Sequence, residues 1–223
     1  MPFEVPARIG HAAPDSARLA AIRKTFAESA APVRPLPSNA VIMAFCLGVF
    51  IALGVILAAP IGFAGLANMS AGARWMDYSV LLLLALALAG VIVEQMIPGS
   101  RHTMRPVWGI VLAIVLLSLT SLVLFPDFDT NRFVPRGMPC LRYGLLSSIP
   151  AAGLTWILMR RGYIVDPLAG AISGGAFSGL LGAAVLALHC SIFNAAHILV
   201  WHVGVIAVTS AAGACIGFFQ MRR

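Results

Sequence analysis

Six apolar stretches dominate the chain after residue 39, at residues 40–59, 78–97, 107–125, 144–159, 168–188 and 198–219. A hydrocarbon core about 30 Å thick is crossed by roughly 20 helical residues, so these stretches predict membrane helices joined by short loops. The composition excludes a water-soluble globule, since 60% of the 223 residues are hydrophobic and only 10% are charged. The expected fold is all-α: a polytopic membrane bundle of six transmembrane helices with a short, mostly unfolded cytoplasmic N-terminal segment. The expected division is a head at residues 1–39, a transmembrane domain at 40–219 and a cytoplasmic tail at 220–223. No large soluble catalytic domain fits beside them. The fourth stretch is the shortest and carries Pro150. It is therefore expected to recruit Leu141 and its neighbours or to kink, with adjacent helices satisfying the freed carbonyl.

The net charge of +7 comes from basic residues in loops and tails, so it reads as a topology signal and not as a nucleic-acid footprint. Arg8, Arg18, Arg23, Lys24, Arg34, Arg101, Arg105, Arg160, Arg161, Arg222 and Arg223 fall on one side of a six-span arrangement. Only Arg74, Arg132, Arg136 and Arg142 fall on the other. Basic residues accumulate on the cytoplasmic side, which places both termini there and the opposite loops outside.

The head is polar and broken by Pro2, Pro6, Pro14, Pro32, Pro35 and Pro37, unlike a cleavable signal peptide, whose apolar region is shorter and lies nearer the start. Asp15 is positioned to N-cap a helix over residues 16–30, in which Leu19, Ile22 and Phe26 share one face. A helix of about 15 residues is marginal alone in water, so it needs a partner or a membrane surface. Both uses of that face remain open on the residues alone. Prolines 32, 35 and 37 then make a stiff extended spacer.

Chemistry-bearing residues concentrate at the outer face. Counting 1.5 Å per residue outward from Arg160 and from Pro167 brings Cys140 and Cys190 to depths that agree within about one helical turn, so the two thiols are expected to meet. A disulfide there would close a loop of about 50 residues and add roughly 4 kcal/mol; two unpaired thiols acting as small apolar residues are the alternative. Cys46 and Cys215 lie inside spans toward the cytoplasmic end and read as packing residues. His189, His197 and His202 flank Cys190, and Cys with His suits zinc, cadmium or copper. Yet His197 and His202 are five apart, about 140° around an α-helix, and do not face one ion. They remain weak candidates, no metal site or cofactor is expected, and Trp201 with His202 reads equally well as an interfacial anchor. Glu94 is the one acidic residue inside an expected span, with Arg101 and Arg105 near enough to pair with it. Glycines 170, 174, 175, 179 and 182 make either a dimer face or internal packing, and Gly213 with Gly217 repeats the device. No catalytic signature is present, so the chain is not expected to be an enzyme.

The segment Ala31-Pro32-Val33-Arg34-Pro35-Leu36, Cys140-Leu141 entering the fourth span, Arg160-Arg161-Gly162, Asp166-Pro167-Leu168-Ala169-Gly170, and Cys190 followed by His197 and Trp201-His202 together resemble the NrsF family, the negative regulators of sigma-F. The resemblance runs from about Asp15 to Phe219. It implies an anti-sigma factor that sequesters an extracytoplasmic-function sigma factor at the bacterial inner membrane and releases it under stress. It also implies a signal-sensing cysteine pair on the periplasmic side, at Cys140 and Cys190. The partners are then the sigma factor and the lipid bilayer, with no direct nucleic-acid contact. The head lacks an HxxxCxxC zinc signature and is too short to be a folded module. Sigma binding is accordingly expected by coupled folding of the 16–30 helix, with Asp15, Arg18, Leu19, Ile22 and Phe26 as its contacts. The rival reading is a small transporter or metal-handling membrane protein using Glu94, His197, His202 and the glycine-rich fifth span. A passive head would distinguish it.

Overall fold

The computed structural model describes residues 16–29, 37–96, 106–161 and 166–221. The chain divides into two units, residues 1–36 and residues 37–223. In the first, α1 (Ser16–Ser29) forms where the apolar spacing predicts a helix. Lys24 and Glu28 pair across one turn at 3.9 Å, and the Thr25 hydroxyl donates to the Ala21 carbonyl. Leu19, Ile22 and Phe26 are 41%, 46% and 72% exposed. Asp15 and the side chain of Arg18 lie outside the described residues.

The second unit comprises α2 (Asn39–Ala58), α3 (Ala64–Asn68), α4 (Ala71–Gln95), α5 (Pro106–Leu124), α6 (Phe133–Arg161), α7 (Pro167–His189), α8 (Ala195–His197), a π turn (Ile198–His202) and α9 (Val203–Met221). No strand occurs among the described residues. Five of the described helical segments are long and apolar enough to cross a membrane: α2, α4, α5, α7 and the run Ala195–Met221. The expected sixth, α6, is long enough at about 43 Å but too polar to count by composition. Arg136 and Arg142 occupy its first half, and Ser147, Ser148 and Thr155 turn inward, buried. Its extension back to Phe133 is the recruitment expected around Pro150, and both Pro139 and Pro150 sit within the helix.

Side chains that absorb orphan backbone donors set several helix starts. Ser70 Oγ accepts from Ala73 N–H at 3.3 Å, which starts α4 seven residues before the expected span and draws Arg74 and Asp77 into the helix. Asp166 caps α7 by accepting from Ala169 N–H at 3.0 Å, with Pro167 pre-set for the first turn.

Helix α7 is the axis of the second unit. It is the most buried of the five candidate spans, and its Phe177, Leu180 and Leu181 pack with Phe50, Leu88 and Ile92 in one core. Phe177 and Phe50 meet with ring centroids 5.5 Å apart. The glycine stripe makes this packing possible. A Cβ at Gly175 or Gly179 would strike Thr209 on α9, one at Gly182 would strike the Gly144 carbonyl of α6, and one at Gly213 would strike the Ala171 carbonyl. These glycines are therefore filled by helices of the same chain and are not a dimer face.

Candidate functional site

Two loops at one end of the second unit build the site. In the first, Asp129 N–H donates to Asp127 Oδ1 and Asn131 N–H to Asp129 Oδ1, and the turn closes at Arg132 with φ of 54°. Ala195 N–H donates to the Asp127 carbonyl and Asn194 Nδ2 to the Asp129 carbonyl, which stitches this loop to the one following α7. Asn194 then caps the next helix by accepting from His197 N–H at 3.0 Å. His197 is thereby fixed beside Cys190, the residue that terminates α7.

Cys140, one turn after Arg136 on α6, has its sulfur 3.8 Å from that of Cys190, and Cys190 Sγ lies 3.6 Å from His197 Nε2. The four groups of Cys140, Cys190, His197 and His202 each place a ligand atom within 4.8 Å of all the others. Both cysteines carry free thiols. The meeting of the thiols follows from the depth count. The convergence of the histidines does not, because the α-helical repeat separates them. The cause is the π turn: Val203 N–H donates to the Ile198 carbonyl five residues back. With an i→i+5 repeat, residues five apart come round to nearly one face. The two rings accordingly stand edge to face with centroids 5.4 Å apart.

The expected third imidazole is absent from the cluster. His189 Nδ1 is 3.2 Å from the Gly62 carbonyl, tying the end of α7 to the turn before α3. Trp201 and His202 are not interfacial anchors either, being 8% and 6% exposed. The Trp201 indole lies over Gly137, where a Cβ would strike it, and its ring packs 5.2 Å from that of Phe133. His202 Nε2 is buried with no hydrogen-bond partner among the described residues.

The thiol pair shares its protons unequally. The Cys140 thiol donates toward Cys190 and pulls the Cys190 thiol below its ordinary range; His197 and His202 act in the same direction, against burial. Cys140 is pushed up because it is the donor in that contact, and burial adds to the effect. The pair loses its first proton at Cys190 and holds the second on Cys140. Such a polarised pair is a nucleophile toward oxidants and a ligand toward soft cations.

A small cavity of about 30 Å³ is lined by Cys190, His202 and Asp77 among others. Asp77 is thus a second acidic residue within a candidate span, half-buried, and the expectation that Glu94 stands alone is corrected. Its signal was available in Ser70, whose cap lengthens α4. Glu94 itself sits in the last turn of α4, and Arg101 and Arg105, its expected partners, lie outside the described residues. Cys46 is buried in the core, while Cys215 is exposed on α9.

Compared with known protein families, residues 26–222 match the sequence model of NrsF, negative regulator of sigma F. The chain belongs to the NrsF family. That match covers nearly the whole second unit and both cysteines, but begins eleven residues later than the resemblance to Asp15, leaving Leu19 and Ile22 outside it. Neither the curated proteins nor the solved structures contain a match to the chain. The family is described as negative regulators of sigma F, a regulatory description that implies a sigma factor as partner.

Proposed function

We propose that this NrsF protein holds an extracytoplasmic-function sigma factor at the cytoplasmic face of the bacterial inner membrane through α1, and releases it when Cys140 and Cys190 react at the periplasmic face. The reading is carried by the exposed apolar stripe of Leu19, Ile22 and Phe26 in a chain whose family negatively regulates a sigma factor. Asp15 and Arg18 extend the same contact. A helix that orders on binding gives part of its interaction energy to ordering, so affinity stays moderate and release needs only a modest change.

In this arrangement α6 is the sixth span. Its support is a face of Leu146, Ile149, Trp156 and Ile157, all at least 44% exposed, as lipid contact requires. Both termini are then cytoplasmic and the thiol pair periplasmic, in agreement with the distribution of Lys and Arg. A change at the pair alters the packing of α6 against α7 and, through the bundle, access to the head. Switching a population between two states takes several kcal/mol of differential interaction, which covalent or ligand chemistry at sulfur supplies.

The test is co-purification of host sigma factors in detergent with the full chain and with a version lacking residues 1–38. A sigma factor retained only by the full chain supports the reading. Retention by neither, with both versions folded, overturns it and turns attention to metal handling at the Cys and His cluster. The joint variant C140S/C190S should bind sigma factor at rest and fail to release it under stress. A normal response would remove the cysteines from sensing.

A further inference from the structure

We propose that His197 and His202 complete, with the sulfurs of Cys140 and Cys190, a closed four-coordinate site for a thiophilic d¹⁰ dication of the zinc or cadmium type. The proposal deepens the reading above and rests on it for the regulatory meaning of the site.

Two of the donor separations already match such a site, and all four donors lie within 4.8 Å of one another. Tetrahedral coordination with metal–sulfur bonds of about 2.3 Å and metal–nitrogen bonds of about 2.0 Å sets sulfurs about 3.8 Å apart and sulfur about 3.5 Å from nitrogen. The two sulfurs are 3.8 Å apart and Cys190 Sγ is 3.6 Å from His197 Nε2. A hydrogen-bonded thiol pair beside the histidines would account for those two contacts but would leave His202 Nε2 unsatisfied. That ring is 6% exposed, faces the cluster, and keeps a buried Nε2 that no described group satisfies. Buried polar atoms are otherwise nearly always paired. The π turn that swings His202 toward Cys190 is itself an uncommon distortion, of a kind concentrated at functional sites.

The donor set and charge fit the same class of ion. Two sulfurs with two imidazoles suit a borderline-soft cation and not magnesium or calcium, which take oxygen. In the filled site both sulfurs are thiolates, the proton still held by the pair passing to water on binding, so two negative charges balance the dication and the site is neutral, as burial demands. The approach is on the loop side, where Asp127, Asp129 and Arg136 line a cavity of about 80 Å³ that reaches His197. Once bound, the ion ties α6, the end of α7 and the π turn together.

The experiment uses the full chain in detergent under reducing conditions with cobalt(II) as the probe. The wild type should take up one ion, with the intense visible bands of four-coordinate cobalt and near-ultraviolet sulfur-to-cobalt charge transfer, both abolished by cadmium or zinc. C140S/C190S should lose the charge transfer. H197Q and H202Q should each keep it, shift the visible bands as an oxygen donor replaces the imidazole nitrogen, and weaken uptake at least tenfold. Cadmium-113 chemical shifts count sulfur and nitrogen donors on wild-type protein alone, so the inference stays testable if a variant misfolds. No uptake by the wild type, a cadmium shift without nitrogen donors, or spectra unchanged in both histidine variants would overturn it. Unchanged histidine variants alongside a C140S/C190S chain that fails to release sigma factor would sink this site and leave cysteine sensing standing. A four-donor site alongside normal release by C140S/C190S would do the reverse.

Discussion

Cys140 Sγ lies 3.8 Å from Cys190 Sγ across 50 residues of sequence, and glycines deeper in the bundle hold the two helices at that spacing. Gly144 is one turn beyond Cys140 on α6, and Gly182 is two turns before Cys190 on α7. A side chain on Gly182 would meet the Gly144 carbonyl. G182V should therefore wedge α6 from α7, costing about 1–3 kcal/mol, and part the thiols. In the wild type a mild azo-type oxidant should close a Cys140–Cys190 disulfide, taking up the two thiol protons and two electrons. In G182V the closure should be at least tenfold slower by free-thiol counting. Equal rates would place the control of the contact elsewhere.

What the sequence revealed of this site was what helical counting can reach. Apolar length located α2, α5 and α7 to within one residue at each end, because membrane spans are set by thickness. The common depth of Cys140 and Cys190 followed from the same rise per residue. Helix starts fixed by a single cap were harder, and Ser70 moved α4 far enough to bring in Asp77. The meeting of His197 with His202 was out of reach, because Ile198-Leu199-Val200-Trp201-His202 reads as ordinary apolar helix. Only the hydrogen-bond repeat of the folded chain reveals the extra residue in that turn. The role of the glycines was left open for a similar reason, since spacing shows a groove but not which helix fills it.

A π turn is equivalent to one residue inserted into an α-helix, which gives a direct check on its purpose. Deleting Val200, 48% exposed, should restore an α-helical repeat with the two histidines four apart, still on one face. The deletion variant should keep thiol proximity in the oxidant assay and keep its thermal stability. Inserting an alanine after Val200 should instead rotate His202 by about 100° away from Cys190 and weaken the cluster. Equal tolerance of both changes would mean that the turn has no role in aiming His202.

On α1, the apolar stripe should act as a set of anchors of unequal weight. A few buried anchors near the centre of a contact carry most of its energy, about 2 kcal/mol or more each on truncation. F26A, at the most exposed of the three positions, and I22A should each weaken sigma retention by about tenfold or more. Membrane assembly should be unaffected, since α1 belongs to a separate unit. K24A, which removes only an exposed ion pair, should change retention by less than about twofold. A retention loss for K24A equal to that for F26A would point to an electrostatic contact in place of a hydrophobic one.

The unequal sharing of protons predicts how the pair responds to pH. The titratable groups about Cys190 are Cys140, His197, His202 and, lining the same small cavity, Asp77. Cys190 is lowered chiefly by the thiol of Cys140, so its thiolate persists as pH falls below the ordinary thiol value of about 8.5. In a C46A/C215A chain, the pH profile of reaction with a small uncharged thiol reagent should show one sulfur reacting with a midpoint below that value. Cys140, pushed up as the donor, should stay unreactive until pH rises well above it. Replacing the donor in C140A should move the Cys190 midpoint upward, because the lost hydrogen bond favoured the charged form. A midpoint that stays put in C140A would transfer the effect to the histidines, which H197Q and H202Q would then show by raising it.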